Sequence, residues 1–397
     1  MTKSTGQDTR GIFDLKPGDY SEEEPVVPLI YGVEWYRRFQ EFLESVPQLS
    51  SLFQLFGGKA THSCSAGDMV RLHTRAIGYL HRSMNPQLRD SVTKVIAAFV
   101  KQNSTAWCEP DATLPSADPS ILAQLNEFGH APLPPLADAH VTTIRDRIEK
   151  VGFVPADAIF STSRDVMAKG ADDLRGGHNL AHVRATDVLR LPGLVDQATS
   201  PDLLSLVAAH LGAPPILIDV SAWRSFAGDT GAKEARDAQL FHFDLDSYRF
   251  CKVFLYLTDV DDGSGPHMFV PTTHRPDVIA GKAPSEGTAG FAAFEKWYFG
   301  TLRKTEDELA AHIGINPISI GGRAGTRFVA NTEAIHRGIP PVDRDRTVLQ
   351  FVYGIAPSTA WTAPFDAVLP YDLDGKPIRR LKGPAAYTLR LMFPNLV

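Results

Sequence analysis

The sequence predicts a mainly β protein with helices: a β-sandwich or jelly roll preceded by a helical region. Short apolar runs of strand type recur in the second half, at 216–226, 251–257, 267–270, 318–320, 326–330 and 347–355. Turns of Gly, Pro and Asp separate them, as at 259–265, and short strands with such turns are the mark of sandwiches and jelly rolls. The N-terminal part has helical periodicity instead. Trp35, Phe39, Phe42, Leu43 and Val46 share one face before Pro47, and Leu88, Val92, Val95, Ile96 and Phe99 repeat the spacing.

Residues 1–28 read as a flexible N-terminal arm, with scattered glycines and an acidic run from Glu22 to Glu24. Residues 29–120 read as a helical extension ending in a linker rich in Ser, Thr, Pro and Asp. The main domain then runs over 121–360. A short helix at 122–128 stops at Gly129, and Pro132, Pro134 and Pro135 enforce extended backbone. Helices follow at 141–151 and 203–211, the second ended by Gly212. His178 and His182 stand four apart, but Gly176 and Gly177 make that segment a loop without a carboxylate, so they are not expected to bind metal. An insert at 276–313 reads as mostly helical, and its aromatic run can serve either as a moving lid or as a docked cover. Residues 361–397 read as a wrapping tail.

The chain has 397 residues, enough for a large core, and its 43% apolar and 22% charged content is ordinary for a globular enzyme. A formal net charge of −6 and the lack of a basic stripe argue against a nucleic-acid partner. Cys64, Cys108 and Cys251 show no paired spacing, which fits a reducing compartment. No signal-type segment or membrane-crossing run is evident. A cytoplasmic monomer or homodimer without a membrane partner is expected.

The chemistry centres on Gln239-Leu-Phe-His-Phe-Asp-Leu-Asp246. His242 and Asp244 alternate with Phe241, Phe243 and Leu245, so both polar side chains lie on one face of an extended strand. An imidazole and a carboxylate projecting together can supply adjacent ligands to one metal. His336, far along the same sheet system, is the natural third ligand, completing a two-His-one-carboxylate face. Arg346, at the start of the next strand, is placed to bind a carboxylate bidentately.

His242-x-Asp244, then Gly265-Pro-His-Met-Phe-Val-Pro-Thr-Thr-His-Arg275, then His336-Arg-Gly338 and Arg346, resemble the phytanoyl-CoA dioxygenase family over about residues 122–360. The resemblance implies a double-stranded β-helix of cupin-like jelly-roll type and an enzyme dependent on iron(II), 2-oxoglutarate and dioxygen. By position, His242, Asp244 and His336 would hold the metal, and Arg346 would bind the distal carboxylate of 2-oxoglutarate. Two positions depart from the pattern. Thr272-Thr273 stands where members often have Gly-Ser, and Gly338 stands where some carry a hydroxyl that helps hold the co-substrate. Gln239 and Tyr256 are the candidates for a further anchor.

The implied reaction is hydroxylation or desaturation of an unactivated C–H bond in a small metabolite or natural-product intermediate, with release of succinate and carbon dioxide. Related halogenases lack the carboxylate ligand that Asp244 supplies here. A non-redox cupin-type metalloenzyme and a catalytically silent ligand-binding protein on the same scaffold remain open alternatives.

Overall fold

The structure, a computed structural model, describes residues 41–47, 50, 66–104, 114–155, 158–159, 167–175, 178–228, 240–300, 303–356, 371–378, 380–390 and 392. The N-terminal arm, Trp35, Phe39, Gln239 and most of the tail lie outside the described residues.

The strands are β1 (His130–Leu133), β2 (Leu180–His182), β3 (Ile216–Ser225), β4 (Phe250–Tyr256), β5 (His267–Phe269), β6 (Ile318–Ile320), β7 (Arg327–Ala330), β8 (His336–Gly338) and β9 (Arg346–Gly354). They form a six-stranded sheet, in the order β1-β7-β4-β9-β3-β2, and a three-stranded sheet, in the order β6-β5-β8. All the pairings are antiparallel. Phe254, Tyr256, Phe328 and Val348 of the large sheet meet Phe269, Ile318 and Ile320 of the small one in a shared apolar cluster. Two facing antiparallel sheets around one interior make this a jelly roll of cupin-like type.

Alternation explains why the central strands look continuously apolar. In β4, Cys251, Val253 and Leu255 pack outward into the core beneath the helices, while Phe254 and Tyr256 point into the barrel. Lys252 is on that inward face, a lone charge in an apolar strand.

The helices Ala66–Ser83 and Pro86–Gln102 pack onto the barrel's outer layer. Ile77, Leu80, Ile96 and Val100 belong to the same buried cluster as Leu206, Tyr248 and Cys251. Asn85 caps the second helix through its Oδ1, which accepts from Gln87 N at 2.9 Å. The buried face of that helix is Arg89, Val92, Thr93, Ile96, Ala97 and Val100, rotated from the expected stripe; Leu88 and Val95 are 39% and 51% exposed. The cause is Arg89, which turns inward toward Glu333 and Tyr298.

Gly265 opens the turn into β5 with φ +71°, and a Cβ there would meet Ile339 O at 2.2 Å. That close approach holds the start of β5 against the segment following β8. Thr272 adopts φ 69°, a conformation that favours glycine. This is the place where members of the resembled family often carry Gly.

The insert forms three helices, Pro276–Lys282, Ala289–Gly300 and Glu306–His312. Phe294, Trp297 and Tyr298 are buried in a cluster with Phe241, Val270, Leu309 and Ile335. Lys304 exchanges backbone hydrogen bonds with Phe241, and its Nζ donates to Trp297 O and Tyr298 O at 3.3 Å each. The aromatic run is thus packed into a small core, which favours the docked cover over the moving lid. Limited proteolysis is expected to cut within the exposed residues 284–290 at one rate with or without metal, 2-oxoglutarate and substrate. Ligand-dependent protection spreading over 290–300 would restore a closing lid.

Among the described residues, no helix is long and apolar enough to cross a membrane.

Candidate metal centre

His242 and His336 are directly opposed across an antiparallel bridge: His242 N donates to His336 O at 2.9 Å, and His336 N donates to His242 O at 2.8 Å. The expected strand around His242 is thus an extended segment held by isolated bridges rather than a full ladder. Alternation still brings Asp244 to the same side, where its N donates to Thr332 O at 2.8 Å. Ligand atoms of His242, Asp244 and His336 lie within 4.8 Å of one another.

The imidazoles are oriented from behind. His242 Nδ1 donates to Leu240 O at 2.8 Å, and His336 Nδ1 donates to Ala334 O at 2.9 Å. A carbonyl only accepts, so each neutral ring carries its proton on Nδ1 and presents the Nε2 lone pair to the interior. Burial, and then the neighbouring His336, hold the His242 pKa below its ordinary value, which favours that neutral form. The Nε2 atoms stand 3.5 Å (His242) and 3.2 Å (His336) from the Asp244 carboxylate. Three inward-facing acceptors repel one another unless a cation sits among them. A backbone carbonyl behind each metal-binding ring is the usual arrangement for fixing its tautomer. The donor set therefore fits a divalent metal with two nitrogen ligands and one oxygen ligand, leaving further positions for other groups.

Sequence reasoning missed Lys252. Its Nζ lies 2.8 Å from Asp244 Oδ2 and 2.8 Å from Asp246 Oδ2. Burial works to raise the Asp244 carboxyl, but Lys252 and then His336 hold it well below the usual carboxylate range. Burial pushes the nearby Asp219 carboxyl up to about 7. The signal for Lys252 in the sequence was the single charge inside Cys-Lys-Val-Phe-Leu-Tyr-Leu. Replacing Lys252 with methionine leaves two largely buried carboxylates, 17% and 18% exposed, without their shared cation. It is expected to destabilise the metal-free protein by roughly 3–5 kcal/mol in urea unfolding, with added divalent metal recovering part of the loss. An unchanged unfolding midpoint would show that the Lys252 pairs contribute no net stability.

His267 was also missed. It lines the barrel at 9% exposure, its ring 5.3 Å from that of His336, and its Nε2 finds no hydrogen-bond partner. Burial and then His336 and Arg346 lower its pKa, so it stands within electrostatic reach of both the triad and the arginine.

Arg346 is 7% exposed at the start of β9. Its Nη2 donates to Ser225 Oγ at 3.3 Å, its Nη1 donates to Ile339 O at 3.3 Å, and its Nε has no partner. Among the described residues, no carboxylate forms an ion pair with it. Burial lowers its pKa and the Tyr256 hydroxyl works in the opposite direction. Tyr256 donates from its own hydroxyl to Ile320 O at 2.6 Å, so it stands beside the guanidinium with its proton already engaged. A buried guanidinium without a counter-ion is an open site for an anionic ligand. Arg344, its neighbour in sequence, is exposed and pairs with Asp261. His182 lies in β2, away from this cluster, and burial holds its pKa near 4. Gln239 lies outside the described residues, so its expected anchoring role is not placed.

No protein-family model matches the chain, and no curated protein matches it. Among solved structures, it is similar to the non-heme α-ketoglutarate-dependent carbocyclase SnoK of nogalamycin biosynthesis, at 16% identity and TM-score 0.40, covering 68% of this chain and 97% of that one. It is also similar to the epimerase SnoN of the same biosynthesis, at 17% identity and TM-score 0.36, covering 59% of this chain and 83% of that one. A third is HygX of Streptomyces hygroscopicus, with nickel, 2-oxoglutarate and hygromycin B bound, at 17% identity and TM-score 0.37, covering 62% and 89%. The resemblance to the phytanoyl-CoA dioxygenase family rests on the quoted motifs alone.

Proposed function

We propose that the chain is an iron(II)- and 2-oxoglutarate-dependent dioxygenase that hydroxylates or desaturates an unactivated C–H bond of a small metabolite or natural-product intermediate, releasing succinate and carbon dioxide. The observation that carries this reading is one barrel interior holding both a three-ligand cluster and a buried guanidinium that no carboxylate among the described residues pairs with. A metal site alone fits many activities. A metal site with a waiting carboxylate anchor selects a co-substrate that bears carboxylates.

His242 and His336 would ligate through Nε2 and Asp244 through a carboxylate oxygen. Bound iron with 2-oxoglutarate supplies the power to oxidise a C–H bond with dioxygen. The chain's own residues do the rest. Leu240 O and Ala334 O fix the tautomers and aim both rings. Lys252 holds the second side of the Asp244 carboxylate and so limits how it can turn. Arg346 would take the distal carboxylate, with the Ser225 hydroxyl and Tyr256 beside it. Arg346 is buried at the start of β9, which strengthens a charge-assisted pair formed there. Asp244 fills the carboxylate position, so no ligand site is vacated for a halide, which favours hydroxylation or desaturation. A cytoplasmic monomer or homodimer belongs to the same reading.

The test is succinate formation by the purified chain with iron(II), 2-oxoglutarate and air, screened against metabolites for stimulation. Substrate-stimulated succinate is the expected result. Metal binding without any succinate, under every condition of the screen, would favour a non-redox metalloenzyme or a ligand-binding protein.

A further inference from the structure

A cavity of about 350 Å³ lies outside the barrel between the helix Pro86–Gln102, the helix Pro201–Leu211 and the start of β4. None of His242, Asp244, His336 or Arg346 lines it. The turn before β8 forms the partition. Glu333 faces this cavity, while His336, three residues on, faces the metal site.

Four cations line it, Arg89, Lys94, Arg249 and Arg275, against three carboxylates, Asp90, Asp277 and Glu333. Arg89 is 3% exposed, and among the described residues its one ion pair is Nη2 to Glu333 Oε2 at 3.8 Å, beyond hydrogen-bond length. The Tyr298 hydroxyl also contacts it, and its Nη1 has no partner. Arg249 reaches Asp90 at 3.5 Å through Nη1 and His210 O at 3.3 Å through Nη2, and its Nε has no partner. Asp90 is already held by Lys94 at 2.6 Å. Glu333, Asp90 and Asp277 are already paired with Arg89, Lys94 and Arg275, so the charge of Arg249 is the one left over beside the open volume.

We infer that this cavity binds a small oxyanion, a carboxylate or a phosphate, between Arg89 and Arg249. Arg89 comes from the N-terminal helical region and Arg249 from the entrance to β4, so the bound anion joins the extension to the barrel. Arginine suits this role because its fork of donors matches the oxygens of either group. The inference does not depend on the metal or on the proposed oxidation.

The test is calorimetric titration of the metal-free full-length chain with inorganic phosphate and, separately, with succinate, at constant ionic strength. One of the two is expected to bind saturably at about one per chain, and the titration that saturates identifies the group. Arg249→Gln, at a partly exposed position, is expected to weaken that binding at least tenfold, and Arg89→Gln likewise. Arg249→Lys is expected to restore part of the affinity. Arg346→Gln should leave it unchanged. Binding that vanishes with Arg346→Gln would place the anion in the barrel and overturn the inference, as would the absence of saturable binding for both anions. If Arg89→Gln fails to fold because Glu333 loses its partner, the Arg249 variants decide alone.

Discussion

Asp244→Ala is expected to abolish turnover and to strip the chain of metal during dialysis, while leaving it folded. Asp244 supplies the anionic ligand, and its loss leaves two neutral imidazoles to hold a divalent cation. The loss of affinity should exceed the roughly 10–100-fold that removal of a supporting partner behind a ligand costs. The fold should survive because Asp244 is not the sole counter-ion of Lys252, which keeps Asp246 at 2.8 Å. The substitution is therefore milder than Lys252→Met, which strands two carboxylates. Metal content after dialysis, succinate yield and the unfolding midpoint together separate the outcomes. Asp244→Asn should keep the shape and still lose most of the metal, because an amide oxygen is a weaker, uncharged ligand. Full succinate yield from Asp244→Ala would remove Asp244 from the metal site.

The His242–Asp244 pair was legible because it obeys a short-range rule. Period-two alternation placed His242 and Asp244 on one side, and the apolar runs at 251–257 and 347–355 marked the central strands that became β4 and β9. The placement of His336 needed the distant bridge to His242, which no local pattern encodes. The sequence pointed to Arg346 by its place at the start of a strand, although Arg344 stands two residues before it in a run of alternating charges. Pairing across the sheet separates the two, because Ser225 faces Arg346 in the β3–β9 register while Arg344 remains outside with Asp261. Very short strands such as β8 and β2 carry too few residues for periodicity to show. The inward turn of Arg89 was invisible for a related reason. An apolar stripe reports average burial, and here a charged residue displaced Leu88 and Val95 toward solvent by finding Glu333 and Tyr298 on another part of the chain. Lys252 and His267 stood as isolated polar residues within apolar strands, a signal that becomes informative only once the direction of each side chain is known.

Arg346→Ala is expected to raise the apparent constant for 2-oxoglutarate by about tenfold to a hundredfold. Hydrogen bonds to charged groups contribute roughly 1.5–3 kcal/mol each, and about 1.4 kcal/mol is a factor of ten in affinity. The upper part of the range is favoured by the surroundings, since Arg346 is only 7% exposed. The effect should fall on the 2-oxoglutarate constant more than on the maximal rate, because a distant carboxylate anchor binds the ground state and the transition state alike. Arg346→Lys should recover only part of the affinity, since a single ammonium cannot reproduce the fork that now reaches Ser225 Oγ and Ile339 O. Arg344→Ala is the matched control. Its guanidinium is exposed and paired with Asp261, and surface pairs of this kind contribute little, so the constant should not move. Titrating 2-oxoglutarate against initial succinate rates for the three variants reads all of these together. A large shift with Arg344→Ala and none with Arg346→Ala would move the anchor to the barrel's rim, and the buried guanidinium would then need another ligand to answer its charge.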